Sequence, residues 1–131
     1  MPLLKSKYVP ESFYLDQLET YPTDLENYVL KPLFSFAGAG VNLHINKEIL
    51  DAVENKSNYI IQKKVKYQPV IKTLNEESAK CEIRMLMLWE KGTAKAKIIN
   101  NLARITKGEM VGVKYNKDKD WVGASVAFFE K

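Results

Sequence analysis

The longest regular stretch of the chain, residues 80–106, most limits what this sequence can fold into. Its first ten residues alternate in polarity, which is the two-residue period of a β-strand. The residues on one face are Cys81, Ile83, Met85, Met87 and Trp89. A turn signal at Lys91-Gly92 then precedes a second extended run over residues 96–106. The pattern predicts a long antiparallel hairpin.

The second face of this hairpin changes character along its length. Glu82 and Arg84 lie on it near the start, and Leu86 and Leu88 continue it. We therefore expect the far end of the hairpin to be buried on both sides. If the turn keeps the faces in phase, Arg104 of the return strand joins Glu82 and Arg84 in one polar patch. Such a patch is compatible with an internal Glu–Arg pair and with an anion site.

Shorter elements complete the predicted sheet. Strands are predicted at residues 28–30, 41–45, 58–65 and 121–129, and a short helix capped by Asn46 at residues 46–54. The glycines and lysines of residues 107–120 predict a solvated loop with a brief extended piece at 110–113. The expected class is α+β, a mostly antiparallel β-sheet with one or two short helices on one face.

The chain has 131 residues, which suits one domain. Three prolines interrupt residues 1–26, so we expect an irregular lead-in or linker there, with one or two helical turns within residues 12–18. A single domain is expected over residues 27–131. No apolar run reaches the ~18 residues that cross a bilayer, and no apolar N-terminal segment signals secretion. These features predict a cytoplasmic chain without a membrane contact.

Charge and metal-binding residue types narrow the expected partners. The net charge is +4 and the pI is about 9.0, which favours an anionic partner. The charge is too diffuse for a nucleic-acid surface. One histidine, His44, and one cysteine, Cys81, give no basis for a zinc site, and no intrachain disulfide is possible.

Residues 28–41 place a lysine next to a glycine loop. Lys31 follows an apolar run, and Pro32 closes the strand because proline cannot donate to a ladder. Gly38 and Gly40 then leave backbone N–H groups open to an anion. The alternative is a tight turn between two strands. The loop fits neither a Walker A sequence nor a dinucleotide fingerprint.

Taken in order, these segments resemble the nucleotide-binding half of the ATP-grasp superfamily, most closely its circularly permuted branch with the glutathionylspermidine synthase-like proteins. Four segments carry the resemblance: residues 28–41, 59–65, 82–89 and 101–104. They are similar to the family's lysine strand with its glycine-rich loop, its hinge strand beside adenine, and two strands that carry phosphate-side arginines.

The resemblance implies an ATP site built from all four segments. Lys31 would bind phosphate, and the loop from Ser35 through Gly38 and Ala39 to Gly40 would close over the β- and γ-phosphates. Gln62 to Val65 would frame the adenine, with the backbone of Lys63 and Val65 reading its edge. Arg84 and Arg104 would steady the phosphates or an acyl-phosphate.

The family's magnesium ligands, typically a Glu-x-Asn motif, have no counterpart in this chain. The resemblance therefore implies the ATP-binding half of a carboxylate–amine or carboxylate–thiol ligase, a part of a larger protein that is inactive alone. It would belong to a ligase only when joined to a metal-binding half. The alternative is a non-catalytic module that docks a partner chain, a missing half-domain or a second copy through an exposed apolar sheet face. Trp89, Phe128 and Phe129 are the residues expected on that face.

Overall fold

The computed structural model describes residues 2–74, 77–111 and 115–130. In these ranges the strands form two three-stranded sheets, and every strand pairing is antiparallel. In the same ranges a short α-helix and short 3-10 helices accompany these strands. The predicted α+β class with a mostly antiparallel sheet is confirmed. The chain divides into two compact units, Met1–Lys66 and Tyr67–Lys131, and each contains one sheet.

The sheet of the first unit has its last strand in the centre. Its strands are β1 (Ser12–Tyr14), β2 (Tyr28–Pro32) and β3 (Tyr59–Lys63), in the order β1-β3-β2. The helix α1 (Lys47–Asp51) and the 3-10 helices Leu15–Gln17, Leu25–Asn27 and Lys56–Asn58 belong to the same unit. The central strand β3 therefore supports a neighbour on each side.

The two faces of this sheet differ in chemistry. Leu30 lies opposite Ile61, and both join a buried cluster with Leu15 and Leu50. Burying a leucine or isoleucine side chain contributes roughly 1.5–3 kcal/mol, so this cluster is the main stabilising feature of the unit. Lys31 follows Leu30 in the strand and therefore faces the opposite side of the sheet.

The predicted helix is present, and its predicted cap is confirmed. The side chain of Asn46 accepts a hydrogen bond from the backbone N–H of Ile49 at 2.9 Å. This bond satisfies one of the N–H groups that a helix leaves free in its first turn. The helix buries Leu50 completely, which attaches it to the core.

The lead-in is more regular than the sequence predicts. Residues 12–14 form β1, which pairs with β3 from Ser12↔Gln62 to Tyr14↔Ile60, and within residues 12–18 only the 3-10 helix Leu15–Gln17 is helical. Leu15 is 1% exposed and belongs to the core. The free edge of β3 provides the partner for this short segment, and such a long-range partner leaves no local sequence signal. The division between the two compact units falls after Lys66.

The second unit contains the predicted hairpin. Its strands β4 (Lys80–Leu88) and β5 (Lys97–Thr106) pair from Lys80↔Thr106 to Leu88↔Lys97, and a bulge leaves Ile99 without an opposite residue. A positive φ of 86° at Gly92 lies in the connecting turn, where glycine adopts it without strain. The strand β6 (Gly123–Ser125) pairs with the other edge of β5.

The expected burial of the far end of the hairpin on both sides is wrong. Leu86 is 41% exposed, Leu88 is 50% exposed and Trp89 is 69% exposed. The strand β6 reaches only the base of the hairpin, where it pairs with residues 103–105, so the far end is a two-stranded ribbon. Alternation predicted the strands, but it carries no information on which neighbour covers them.

The predicted solvated loop of residues 107–120 is also partly buried. Asn116 is 8% exposed, and its Oδ1 accepts hydrogen bonds from the Thr106 hydroxyl and from the backbone N–H groups of Lys107 and Gly108 at 2.8–3.0 Å. A Cβ atom at Gly108 would lie 2.2 Å from the carbonyl oxygen of Tyr115, so only glycine fits there. Part of the predicted extended piece at residues 110–113 lies outside the described residues.

Among the described residues, no helix has both the length and the apolar character needed to cross a membrane.

Candidate functional site

Lys31 and Gln62 form the centre of the candidate site in the first unit. Lys31 is half-buried in β2, and its Nζ donates a hydrogen bond to Oε1 of Gln62 on β3. The residue directly opposite Gln62 is Val29, so the lysine reaches its partner diagonally across the ladder. Two residues that the sequence predicts for different parts of a nucleotide site are therefore in direct contact.

The Gln62 side chain is held from its other end as well. Its Nε2 donates to the Ser12 hydroxyl at 2.9 Å, and that hydroxyl donates to the carbonyl oxygen of Pro10 at 2.9 Å. Gln62 is 7% exposed, so each of its polar atoms needs a partner. This chain of hydrogen bonds crosses all three strands and keeps Oε1 directed at Lys31.

The electrostatic environment of Lys31 is unusual for a lysine. Burial lowers the pKa of its ammonium group below the ordinary value. Among the described residues no carboxylate forms an ion pair with it, and its hydrogen bond goes to a neutral amide. A partly desolvated cation without a counter-ion gains from the approach of an anion.

The glycine loop folds back against the strand that carries Lys31. The backbone groups of Leu30 and Asn42 exchange two hydrogen bonds of 2.9 Å, and these close the loop at its base. A Cβ atom at Gly40 would lie 3.1 Å from Cγ of Pro32, so the loop backbone lies close to the end of β2. The φ angles of Gly38 and Gly40 are 78° and 73°, values that favour glycine.

Several backbone donors of this loop remain open. The N–H groups of Ala39 and Val41 donate to carbonyl oxygens within the loop. In the described part of the chain, the N–H groups of Ser35, Gly38 and Gly40 donate no hydrogen bond. These donors can serve an anionic ligand.

The segment predicted to frame adenine is only partly available. The backbone N–H of Lys63 donates to the carbonyl oxygen of Glu11 at 2.8 Å, and the N–H of Lys64 donates to Asn27 at 2.7 Å. The N–H of Lys63 is therefore already used by the fold. Val65 lies beyond the end of β3 with a side chain that is 54% exposed.

The polar patch predicted on the hairpin is present in the second unit. Glu82 lies directly opposite Arg104, and one of its carboxylate oxygens is 3.6 Å from Arg104 and 3.8 Å from Arg84. The other oxygen accepts a hydrogen bond from the Tyr67 hydroxyl at 3.3 Å. Burial and the neighbouring Glu82 raise the pKa of Tyr67. The patch thus contains an internal Glu–Arg pair, which is one of the two interpretations that the sequence left open.

The two arginines differ in how firmly the fold holds them. Arg104 also donates to the carbonyl oxygen of Val111 at 2.8 Å, and its side chain is 21% exposed. The Arg84 side chain is 53% exposed, and among the described residues it forms an ion pair only with Glu82, at 3.8 Å. Exposed ion pairs at such distances contribute little, so Arg84 is the more available cation.

The predicted site residues fall into two groups. Lys31, the loop residues and the 62–65 segment belong to the first unit, and both arginines belong to the second. Within the units, the structure brings Lys31 together with Gln62, and Arg84 together with Arg104 through Glu82. In the residues that the structure describes, no three His, Cys, Asp or Glu side chains cluster to hold a metal ion.

Sequence reasoning missed Ser12 and Tyr67, which orient Gln62 and Glu82. The one signal for Ser12 was its place before an apolar run, whereas Tyr67 stands two residues before Pro69 in a segment without periodicity. It also missed Asn101, whose side-chain amide exchanges two hydrogen bonds with the backbone of Ala127 at 2.7 and 3.0 Å.

No protein-family model matches this chain, and neither the curated proteins nor the solved structures compared with it give a significant match.

Proposed function

We propose that this chain is the nucleotide-binding half-domain of an ATP-grasp-like ligase and that Lys31 binds a phosphate of ATP. The observation that carries the proposal is the half-buried ammonium group of Lys31, which contacts a neutral amide and no carboxylate of the described chain. Phosphate oxygens would supply the negatively charged partner for this ammonium group. Gln62 then acts as the group that directs the lysine, because Ser12 fixes its amide.

The adjoining loop supports the same assignment. Backbone hydrogen bonds between Leu30 and Asn42 close the base of the loop on β2, and Leu30 is the residue that precedes Lys31. Among the described residues, the loop N–H groups of Ser35, Gly38 and Gly40 donate no hydrogen bond. A lysine and free backbone donors together are the usual protein partners of a polyphosphate. The segment that ends at Val65 resembles the hinge strand beside adenine in the ATP-grasp superfamily, so we assign the adenine to it.

The parent reaction is ATP-dependent joining of a carboxylate to an amine or a thiol through an acyl-phosphate. The proposal assigns this chain the binding of the nucleotide, with Lys31 and the glycine loop of the first unit on the phosphates. Magnesium is the usual companion of ATP in such reactions, but the described residues provide no cluster of carboxylates to hold it. We therefore assign no catalytic step to this chain alone.

The direct test is calorimetric titration with ATP of the wild-type chain and of two alanine variants. Lys31→Ala removes the proposed phosphate ligand, and Lys47→Ala removes an equal charge from an exposed position of the same unit. A charge-assisted hydrogen bond contributes about 1.5–3 kcal/mol, so Lys31→Ala should weaken ATP binding about tenfold or more. Lys47→Ala should bind as the wild type does. Equal weakening in both variants, or no binding at millimolar ATP, would contradict the proposal.

A second candidate function is the docking of a partner chain through the exposed sheet face of the second unit. The expected residues are all exposed, at 69% for Trp89, 93% for Phe128 and 60% for Phe129. Apolar surface of this kind marks interaction sites in many proteins. Sedimentation and binding of a hydrophobic dye test this function, and a strict monomer that binds no dye would contradict it.

A further inference from the structure

We infer that β4 pairs antiparallel with β4 of a second copy of this chain, in the register that places Met87 opposite Met87. This inference rests on the second function proposed above and specifies its partner. It concerns residues 84–90 of the second unit, the last residues of β4 together with Trp89 and Glu90.

The strand β4 is an edge strand of a kind that proteins usually protect. The sheet order is β4-β5-β6, so alternate backbone N–H and C=O groups of β4 face away from β5. Edge strands are commonly blunted by lysine, by proline or by their own bulges. Residues 81–90 contain no lysine and no proline, and the bulge of this hairpin lies in β5 at Ile99.

The two ends of the segment carry opposite charges, so the segment is complementary to an antiparallel second copy of itself. Arg84 and Glu90 enclose five uncharged apolar residues, 85–89. In an antiparallel pair centred on Met87, Arg84 of each copy lies opposite Glu90 of the other. The twofold symmetry of such a pair forms this contact twice.

The residues between the charges also match. The same register sets Met85 opposite Trp89 and Leu86 opposite Leu88 of the second copy, so each cross-strand pair is apolar. Leu86, Met87 and Leu88 are each more than 40% exposed in the single chain, and pairing would cover part of that surface. Aromatic and aliphatic side chains that lie opposite each other stabilise an antiparallel strand pair.

Neighbouring registers lack this match. A pair centred on Leu86 sets Glu82 opposite Glu90, which places like charges together. A pair centred on Leu88 sets Glu90 opposite Leu86 and leaves Arg84 opposite Gly92. The charge pattern therefore favours the register centred on Met87.

The contacts that Arg84 and Glu90 make within one chain do not block this arrangement. Arg84 is 3.8 Å from Glu82, and Glu90 is 3.6 Å from Lys97. Both distances are longer than a hydrogen bond, and the side chains of Arg84, Glu90 and Lys97 are more than half exposed, so breaking either pair costs little.

Charge reversal tests the interface and its register together. The mass of the full chain is measured by sedimentation equilibrium, without nucleotide, for wild type, Arg84→Glu, Glu90→Arg and the double exchange. We expect a wild-type dimer, dissociation constants raised about tenfold or more by each single reversal, and recovery in the double exchange, because it restores two opposite-charge pairs. A wild-type monomer up to high micromolar concentration would overturn the inference, as would single variants that dimerise like wild type.

Cysteine cross-linking gives a second test that leaves the charges unchanged. In a Cys81→Ala background, Met87→Cys places two thiols directly opposite each other, within the Cα separation that a disulfide accepts. Leu86→Cys is the matched control, because its two copies lie diagonally at about 7–8 Å. We expect Met87→Cys to cross-link at least tenfold faster, and equal rates would overturn the register. A monomer that still binds hydrophobic dye overturns only this inference and leaves the second function in place.

Discussion

The Nζ atom of Lys31 donates a hydrogen bond to Oε1 of Gln62 across the β2–β3 ladder, although the two residues are not directly opposite each other. The Ser12 hydroxyl on β1 holds the other end of the Gln62 amide. A neutral side chain is thus the contact that directs a half-buried cation. The proposed phosphate site depends on this pair.

Gln62→Glu should reduce ATP binding while leaving the fold in place. The substitution keeps the shape of the side chain but supplies Lys31 with a carboxylate, which competes with the phosphate. We expect ATP affinity to fall about tenfold at neutral pH, measured by calorimetry. Recovery of part of the affinity on lowering the pH, as the new carboxyl group is protonated, would identify the charge as the cause. Affinity equal to wild type across that pH range would contradict the assignment of Lys31.

Gln62→Leu should destabilise the first unit. It leaves the Ser12 hydroxyl and the Lys31 ammonium group without their side-chain partners in a partly buried position. An unsatisfied buried polar group costs about 1–3 kcal/mol, so the free energy of unfolding in urea should fall by about 2 kcal/mol. A loss below about 0.5 kcal/mol would show that this chain of hydrogen bonds does not stabilise the sheet.

Tyr28 should make stability fall at high pH. Its hydroxyl donates to Glu11 at 2.9 Å, and burial, followed by the nearby Glu11, raises the pKa of Tyr28 to about 12. The folded state thus keeps its proton while the unfolded tyrosine loses it near pH 10, so stability falls as pH rises from about 10 to 12. Urea unfolding across this range should show a shallower decline for Tyr28→Phe. Parallel declines for the two proteins would refute the role of this tyrosine.

Gly108→Ala should destabilise the second unit much more than Gly123→Ala. A Cβ atom at Gly108 would lie 2.2 Å from the carbonyl oxygen of Tyr115, whereas at Gly123 it would meet nothing within 4 Å. Steric overlap with backbone costs about 1–3 kcal/mol, because the chain must shift to relieve it. The two thermal unfolding curves, measured side by side, should therefore separate clearly. Equal unfolding temperatures for the two variants would mean that the backbone of Tyr115 does not pack against Gly108.

Asn46→Ala should remove the cap of α1 at a cost of about 1 kcal/mol. The amide of Asn46 accepts the N–H of Ile49 at 2.9 Å. Asn58→Ala is the matched control, because the Asn58 side chain forms no hydrogen bond with the described residues and is exposed. Denaturant unfolding should distinguish the two variants, and an equal effect of both would argue against the cap.

Local patterns in the sequence predicted most of the elements. Alternation over residues 80–106 predicted the hairpin and the meeting of Glu82, Arg84 and Arg104, because strand period and register follow from neighbouring residues. Asn46 predicted the helix start for the same reason, since a cap acts within three residues. These features depend on contacts that are close in sequence or fixed by one turn.

The features that the sequence did not predict depend on distant partners. The strand β1 forms because β3, nearly 50 residues later, offers it an edge, and Asn116 is buried because it gathers donors from residues 106–108. The exposed far end of the hairpin depends on how far β6 extends along β5. The contact of Lys31 with Gln62 likewise required the register of β2 on β3.

The pKa of the Lys31 ammonium group, followed by NMR with and without ATP, reports directly on phosphate binding at Lys31. Burial keeps this pKa below its ordinary value in the free chain. A bound phosphate would supply the missing negative charge, so we expect ATP to raise the Lys31 pKa. A Lys31 pKa that does not move at millimolar ATP would show that Lys31 does not bind the phosphates.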